Sequence, residues 1–468
     1  MNIRLNFGEL KKDFKFIDQE STGKFRLQHN TGKMIKVLPY KTKKPDAEDL
    51  TQFSGISGAF SRLLFNLKEK GDFKVKEVFD QILLKVQFER ETDKSWFRNI
   101  IEELFLHHSE VEIFHPLLFN YLRPRSLHQS QIARFLCDVL VDPKTKNKVK
   151  ATCSAEADNV LIRLMLESLP ELEPMESTDA QYVSFLPFIS GLFNADLSFM
   201  VSDTSFFVKD FDKLLEYYYF FYVSQLALKL DKMFTVEVAE PIPVYFNLDW
   251  EKTSKIRTSY IAGWAYLLPK IRSLFSHTIT LEFINHSFGC EKILTYAKLF
   301  EEVQSMDDSE RESFQHDVSY LLYLYKAHVE DVNWKDFSVT RKFEDPILDE
   351  IFNLQRAIEF QFTTSGRKSI PLKYANWFEK HSEAYFLKKR GPLGYTLNIT
   401  QDFLIFFIRL SIKDRSKIKL KQLYKEFEKR GLFFDRDSKE HIIRLLEKLN
   451  LLEKKSDSGD AQYVKSIL

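Results

Sequence analysis

The segment YYYFFYVSQLAL, residues 217–228, is the most apolar stretch of the chain and contains no charged side chain. Twelve residues are too few to cross a bilayer, because a membrane-spanning helix needs about 20 apolar residues. Six consecutive aromatic side chains on a helix point in every direction, so most of them must lie in a core or a subunit interface. Stacking of unpaired bases on these rings is the alternative. The segment predicts a long buried helix and no contact with a membrane.

The composition around this segment also favours helices. The 468 residues include 44 Phe and 19 Tyr but only 14 Gly and 14 Pro. Gly and Pro together make up about 6% of the chain, roughly half of the usual 12%. Few turn-forming residues and many bulky ones predict a mainly α protein. The expected fold is a multi-helical body with a small N-terminal β-hairpin and a C-terminal winged helix-turn-helix domain.

Breaks in the pattern divide the chain into four predicted segments. Residues 1–45 form the β-hairpin segment, because apolar side chains alternate around Asn30-Thr31-Gly32. Residues 46–174 form a helical domain, which ends in an acidic stretch with two prolines. Residues 175–362 form an aromatic-rich helical domain. Residues 363–468 contain a linker and the winged helix, whose core is 400–468.

Charge and cysteine content indicate the compartment and the class of partner. The chain has 68 basic and 67 acidic residues, so its net charge is +1. Residues 1–50 carry +4 and residues 401–468 carry +5, which leaves −8 for the middle. Basic ends fit contact with nucleic acid, although ordinary surface variation gives the same numbers. Three unpatterned cysteines and an N-terminus without an apolar leader predict a cytoplasmic protein.

The last 68 residues have the order of a winged helix. Apolar spacing predicts helices at 403–410 and 421–430, with a short extended step between them, and Gly431 ends the second helix. Asp437 is expected to cap the next helix, with Glu440 reaching back from its first turn. Asn450 ends that helix, and strands at 451–455 and 461–464 flank a turn. In helix-turn-helix domains the last helix enters the major groove of DNA.

The basic residues of this last helix and of the two strands are the candidate DNA contacts. His441, Arg444 and Lys448 fall on one face of the helix, because they are spaced at i, i+3 and i+7. The complete predicted set is Lys439, His441, Arg444, Lys448, Lys454, Lys455 and Lys465. Contact with double-stranded DNA, docking onto a protein and inert packing are all compatible with this set.

The patterns that support catalysis are incomplete. No Gly-x4-Gly-Lys-Ser/Thr loop is present, so no nucleotide cofactor is predicted, and no set of metal ligands has suitable spacing. Asp435 followed by Glu453-Lys454-Lys455 formally matches a metal-dependent nuclease, but these residues fall inside the predicted wing. The expectation is a protein without catalytic, cofactor-binding or metal-binding residues.

Four stretches resemble a known protein family. They are FLPFI at 185–189, LLEYYYFFYVSQLALKL at 214–230, FDRDS at 434–438 and LLEKLNLLEKKSDSGDAQYV at 445–464. These stretches are similar to the DptG (DndG) component of bacterial DNA phosphorothioation-dependent restriction systems. The resemblance implies antiviral defence, in a complex with DptF-like and DptH-like ATPase or helicase subunits. It implies no catalytic residue.

The sequence therefore leads to one hypothesis with several rivals. The hypothesis is a non-catalytic restriction subunit that binds DNA through its winged helix and partner subunits through its helical body. A pure scaffold whose winged helix docks onto a partner ATPase is one rival. A metal-dependent nuclease with dispersed ligands is another. A stand-alone transcription regulator fits less well, because the helical body is larger than a repressor needs.

Overall fold

The chain is mainly helical, as the composition predicts. A computed structural model describes residues 3–17, 26–46, 48–68, 75–107, 110–111, 113–154, 159–176, 178–235, 239–288, 293–454 and 462–467. Helices take up 63% of the structure and strands 7%, so the strands form only small sheets. Within the described residues, no helix combines the length and the apolar character that a membrane span requires.

The α-helices are numbered in chain order. They are α1 (Phe7–Asp13), α2 (Glu48–Thr51), α3 (Ser54–Phe65), α4 (Val75–Lys85), α5 (Glu91–Phe105), α6 (Leu127–Leu140), α7 (Pro143–Cys153), α8 (Val160–Ser168), α9 (Pro187–Met200), α10 (Thr204–Lys232), α11 (Thr258–Ile261), α12 (Trp264–Asn285), α13 (Tyr296–Ser305), α14 (Asp308–Ala327), α15 (Pro346–Thr364), α16 (Ser369–Tyr385), α17 (Gln401–Ile412), α18 (Leu420–Lys429) and α19 (Arg436–Lys448). Short 3-10 helices lie at Pro116–Tyr121, Met233–Thr235, Trp334–Asp336 and Gly391–Leu393.

The strands are short and form sheets of two or three strands. They are β1 (Arg4–Leu5), β2 (Leu106–His107), β3 (Glu110–Val111), β4 (Asn247–Leu248), β5 (Ser287–Phe288), β6 (Leu387–Lys389), β7 (Tyr395–Ile399), β8 (Lys417–Lys419), β9 (Leu452–Lys454) and β10 (Gln462–Lys465). Strands β1 and β5 pair with each other, as do β2 and β3. The three-stranded sheets have the orders β4-β7-β6 and β8-β10-β9.

The described chain groups into two compact units. The first contains residues 1–51, 181–189 and 219–468, and the second contains residues 52–180 and 190–218. This grouping does not test whether any of the four predicted segments folds alone, so that division stays a prediction.

The second half of α10 lies in the core of the first unit. Tyr219, Phe220, Phe221 and Tyr222 are all 2% exposed or less. The ring of Phe220 stacks on Phe378 with centroids 5.3 Å apart, and two further rings, those of Phe246 and Phe386, pack against it. The aromatic run is therefore core, as its spacing predicts, and its rings are not available for base stacking.

The second unit packs α3 closely against the segment before α6. A Cβ atom on Gly58 would lie 2.2 Å from the carbonyl oxygen of Leu122, and one on Gly55 would lie 2.7 Å from that of Arg123. Since real Cβ contacts are longer than this, only glycine allows the two backbones to approach so closely. A separate cluster of Val78, Phe79, Ile82, Ile101 and Met165 fills the space between α4, α5 and α8.

The predicted N-terminal β-hairpin around Asn30-Thr31-Gly32 is not formed by the described residues, although Ile17 and Arg26 form an isolated antiparallel bridge. Residues 27–46, all of which are described, contain no strand. The backbone N–H groups of Gly32, Lys33 and Met34 donate instead to the carboxylate of Glu282, at 3.1, 2.7 and 2.6 Å. Strand β1 pairs with β5, far along the chain. A hairpin that turns at Asn30-Thr31-Gly32 does not form, because the buried Glu282 side chain from α12 takes the amides of Gly32, Lys33 and Met34.

Candidate nucleic-acid interface

The C-terminal residues follow the order helix, strand, helix, helix, strand, strand. Helices α17 and α18 pack together, α18 lies against β8 and β10, and α19 lies against β9. Strand β10 is antiparallel to both of its neighbours, with Val464 opposite Ile418 on one side and Leu452 on the other. The predicted order of elements in this region is therefore present in the described residues.

Helix α18 ends where glycine is required. Leu423 and Phe427 are fully buried on its inner face. Gly431 follows the helix with a φ of +75°, a backbone conformation that residues other than glycine rarely adopt. A Cβ atom there would also lie 2.3 Å from the ring of Phe221. The predicted end at Gly431 is confirmed, and the glycine serves both the backbone turn and the close packing on α10.

Helix α19 begins two residues earlier than a cap at Asp437 would place it. Its N-cap is Asp435, whose Oδ1 accepts a hydrogen bond of 3.0 Å from the backbone N–H of Ser438. The predicted cap at Asp437 is therefore wrong, because Asp437 already lies within the helix. Ile442 and Leu446 are fully buried on the inner face. Asn450 follows the helix with a φ of +55°, as expected for the residue that ends it.

Several of the predicted cations lie in solvent. The side chain of Arg444 is 67% exposed and that of Lys454 is 56% exposed. Lys448 and Lys465 are also exposed. These four residues come from the second half of α19 and from strands β9 and β10, so the exposed cations belong to elements that pack in the same C-terminal region.

The other predicted residues are less accessible. Lys439 stacks over the ring of Tyr424 at 4.9 Å, and its backbone carbonyl accepts a hydrogen bond from the Tyr424 hydroxyl. Its ammonium group also lies 3.4 Å from Glu428. His441 is half-buried. Lys455 lies outside the described residues. Lys439 therefore joins α18 to α19 rather than projecting outwards.

Carboxylates alternate with the cations along the outer face of α19. Glu440 lies 3.3 Å from Arg436 and 3.9 Å from Arg444. Glu447 lies 2.7 Å from Lys454. Because all of these side chains are exposed, each pair adds at most about 1 kcal/mol to stability. Their main effect is on the surface potential, since they offset part of the positive charge that a polyanion would meet.

Arg257 stabilises the start of α19, a role that no sequence pattern predicts. Arg257 precedes α11 and reaches Asp435, with Nη2 2.5 Å from Oδ1 and Nε 3.1 Å from Oδ2. It also lies 3.4 Å from the carboxylates of Glu251 and Asp437, and donates to the Ser438 hydroxyl at 2.9 Å. Asp435 lies 178 residues from Arg257, so no local spacing signals the pair.

The charges in this cluster support each other. Burial opposes the charged form of Asp435, but hydrogen bonds from Arg257 and from the backbone of Ser438 outweigh it and lower the pKa of Asp435 to about 2. Ser438 is completely buried, and its hydroxyl donates to Glu251 Oε1 at 2.8 Å. Asp435 is therefore an ionised N-cap at any physiological pH, which suits the positive end of the helix dipole.

The formal nuclease pattern is not assembled as a metal site. Asp435 is occupied by Arg257, and both oxygens of Glu453 lie within 3.1 Å of Lys417 Nζ. Across the described ranges, no group of three or more His, Cys, Asp or Glu side chains is arranged to hold a metal ion. These two carboxylates therefore have structural partners in this fold.

Comparison with known proteins adds no assignment. No protein-family model matches the chain, and no curated protein matches it. The observations that bear on function are therefore the quoted sequence stretches and the geometry of residues 401–454 and 462–467.

Proposed function

We propose that this chain is a non-catalytic subunit of a bacterial DNA phosphorothioation-dependent restriction complex. In this proposal residues 401–467 are a winged helix that holds double-stranded DNA, and the helical body binds DptF-like and DptH-like ATPase or helicase subunits. The restriction system and its subunits come from the resemblance at 185–189, 214–230, 434–438 and 445–464. The DNA contact comes from the C-terminal region.

The observation that carries the proposal is the order of the C-terminal elements with their exposed cations. A helix, a strand, two helices and two further strands, with sheet order β8-β10-β9, is the arrangement expected of a winged helix. In such a domain α19 takes the place of the helix that enters the major groove. Arg444, Lys448, Lys454 and Lys465 supply the side chains that contact phosphates.

Partner binding by the body is supported by large apolar side chains in solvent. Ile256 is 88% exposed, Tyr323 is 67% exposed and Ile261 is 60% exposed, all in the first unit. Exposed aliphatic and aromatic side chains such as these provide apolar area that a partner can remove from water. Aromatic residues such as Tyr323 are also enriched among the residues that dominate binding energy.

The direct test is DNA binding by a variant that lacks the four exposed cations. We expect the substitutions Arg444→Ala, Lys448→Ala, Lys454→Ala and Lys465→Ala, made together, to weaken binding to a 30-base-pair duplex by about tenfold or more at low salt. The slope of log K against log salt should fall by about 3 to 4, since each phosphate contact contributes about 0.9. Fluorescence anisotropy across a salt series measures both quantities.

A matched control separates this surface from net charge. Lys335, Lys342, Lys368 and Lys373 are exposed in other segments of the first unit, and changing all four to Ala removes the same charge. This control should retain most of the affinity and the salt slope. Equal losses in the two variants would reject a specific role for the C-terminal surface, and circular dichroism would verify that both variants fold.

Protein docking by the same surface is the second candidate. The observation that favours it is the alternation of Glu440 and Glu447 with the cations. A docking surface predicts that the wild-type chain does not bind duplex DNA even at low salt. It also predicts that the four-alanine variant no longer co-purifies with a co-expressed ATPase subunit, while the control variant does.

A further inference from the structure

One side of the first turn of α19 is covered by other parts of the first unit. The backbone N–H of Phe246 donates to the carbonyl of Phe433 at 2.9 Å, which fixes the segment that leads into the helix. The backbone N–H of Ser259 donates to Asp435 at 3.3 Å. Ser438, in the first turn itself, is completely buried. The loop that carries Arg257 therefore lies directly against the start of the helix.

This position matters for how DNA can be recognised. Helix-turn-helix proteins place the N-terminal residues of the recognition helix against base edges in the major groove. In this chain that turn is bound to Arg257, Glu251 and the backbone at Ser259. Base edges cannot reach the polar groups of Asp435 and Ser438, because the protein already uses them, and Arg436 is the cation of this turn that stays exposed.

The negative charge around the first turn of α19 also disfavours contact between this turn and DNA. Asp435, Asp437 and Glu251 bring three carboxylates around the single guanidinium of Arg257. Asp437 is 62% exposed, so part of this negative charge faces solvent. At physiological salt the screening length is about 8 Å, so these carboxylates weaken the attraction of a phosphate to Arg436 and the rest of the first turn. Arg436 is an exposed cation within this turn, and Glu440 lies 3.3 Å from its guanidinium. Arg444, Lys448, Lys454 and Lys465 lie further along, in the second half of α19 and on β9 and β10.

We infer that the C-terminal region binds duplex DNA through its sugar–phosphate backbone and does not discriminate base sequence. This inference rests on the proposed DNA contact and specifies its ligand as duplex of any sequence. Backbone contacts by Arg and Lys give salt-dependent affinity but carry no direct sequence information. Sequence readers, in contrast, bind their sites about a thousandfold or more above other DNA.

The experiment compares the wild-type chain on a panel of duplexes of equal length and different sequence and base composition. We expect dissociation constants that differ by less than tenfold at one salt concentration, with the same salt slope on every duplex. A preference of tenfold or more for one duplex would overturn the inference while leaving the DNA-binding proposal intact. Absence of binding to every duplex at low salt would instead overturn the proposed function.

Two single variants test the location of the contact. Arg436 belongs to the first turn and is 91% exposed, whereas Arg444 lies two turns further along. Arg444→Ala should weaken binding to all duplexes by the same factor. Arg436→Ala should produce no change that depends on sequence. A loss with Arg436→Ala that is confined to some duplexes would show base reading by the first turn and would refute the inference.

Discussion

At the scale of single residues, Gly431 joins a backbone requirement to a packing requirement. Its φ of +75° follows α18, and the ring of Phe221 lies where a side chain would begin. Gly394 has a φ of +73° and a ψ of −148°, and no atom lies within 4 Å of the position of its Cβ. A substitution at Gly394 therefore tests the backbone conformation alone, whereas one at Gly431 also tests steric overlap.

We expect Gly394→Ala to lower the free energy of unfolding of the first unit by about 1 to 3 kcal/mol, because its φ of +73° and ψ of −148° lie in a region that essentially only glycine adopts. Gly431→Ala should cost about 2 to 4 kcal/mol, because overpacking against Phe221 adds about 1 to 3 kcal/mol. Urea unfolding followed by circular dichroism measures both. A loss below about 1 kcal/mol at Gly431 would mean that the Phe221 ring moves aside without cost.

At the scale of an element, α19 has two functions that compete for its side chains. Its inner face holds Ile442 and Leu446 in the core, and its first turn is bound by Arg257. Only the outer face is left for a partner, and Glu440 and Glu447 occupy part of it. The affinity of this helix for DNA therefore depends on the balance of exposed charges.

We predict that Glu440→Gln with Glu447→Gln strengthens duplex binding about three- to tenfold at low salt, because Arg444 and Lys454 lose the carboxylates that offset their charge. The gain should disappear at high salt, where these charges are screened. Glu312→Gln with Glu344→Gln, two exposed positions elsewhere in the first unit, is the control with the same change in charge. Unchanged or weaker binding would favour the protein-docking candidate.

At the scale of the whole molecule, the N-terminal residues are part of the first unit. Arg4 pairs with Asp317 through two contacts of 2.7 and 2.8 Å. The indole N–H of Trp377 donates to the carbonyl of Lys41 at 3.0 Å. Phe14 is completely buried and stacks on Phe283 with centroids 4.0 Å apart. These contacts join residues hundreds of positions apart, so the first unit needs its N-terminal segment.

We expect Phe14→Ala to lower the free energy of unfolding of the first unit by about 3 to 5 kcal/mol, the range for deleting a buried aromatic ring. Phe300→Ala is the control, because Phe300 is 39% exposed, and it should cost less than about 1 kcal/mol. Denaturant unfolding of the two variants gives the comparison. A small effect of Phe14→Ala would mean that the N-terminal segment is dispensable.

The sequence by itself determined the elements whose signals are local. Helical spacing of apolar residues, Gly431 after α18 and Asn450 after α19 were sufficient to predict the order of the C-terminal elements, because each signal acts within one or two turns of the chain. The buried character of residues 217–228 followed from the same kind of argument, since consecutive aromatic side chains cannot all face solvent.

Only the tertiary structure decided the features that depend on distant residues. Both Asp435 and Asp437 could cap α19, and Arg257, Ser259 and Ser438 stabilise Asp435 in that position. Alternating residues near Asn30 satisfy the pattern of a hairpin, but Glu282 takes the backbone amides. Spacing describes what a segment can do alone. Buried polar groups must find partners wherever the fold provides them, and that requirement determined these two outcomes.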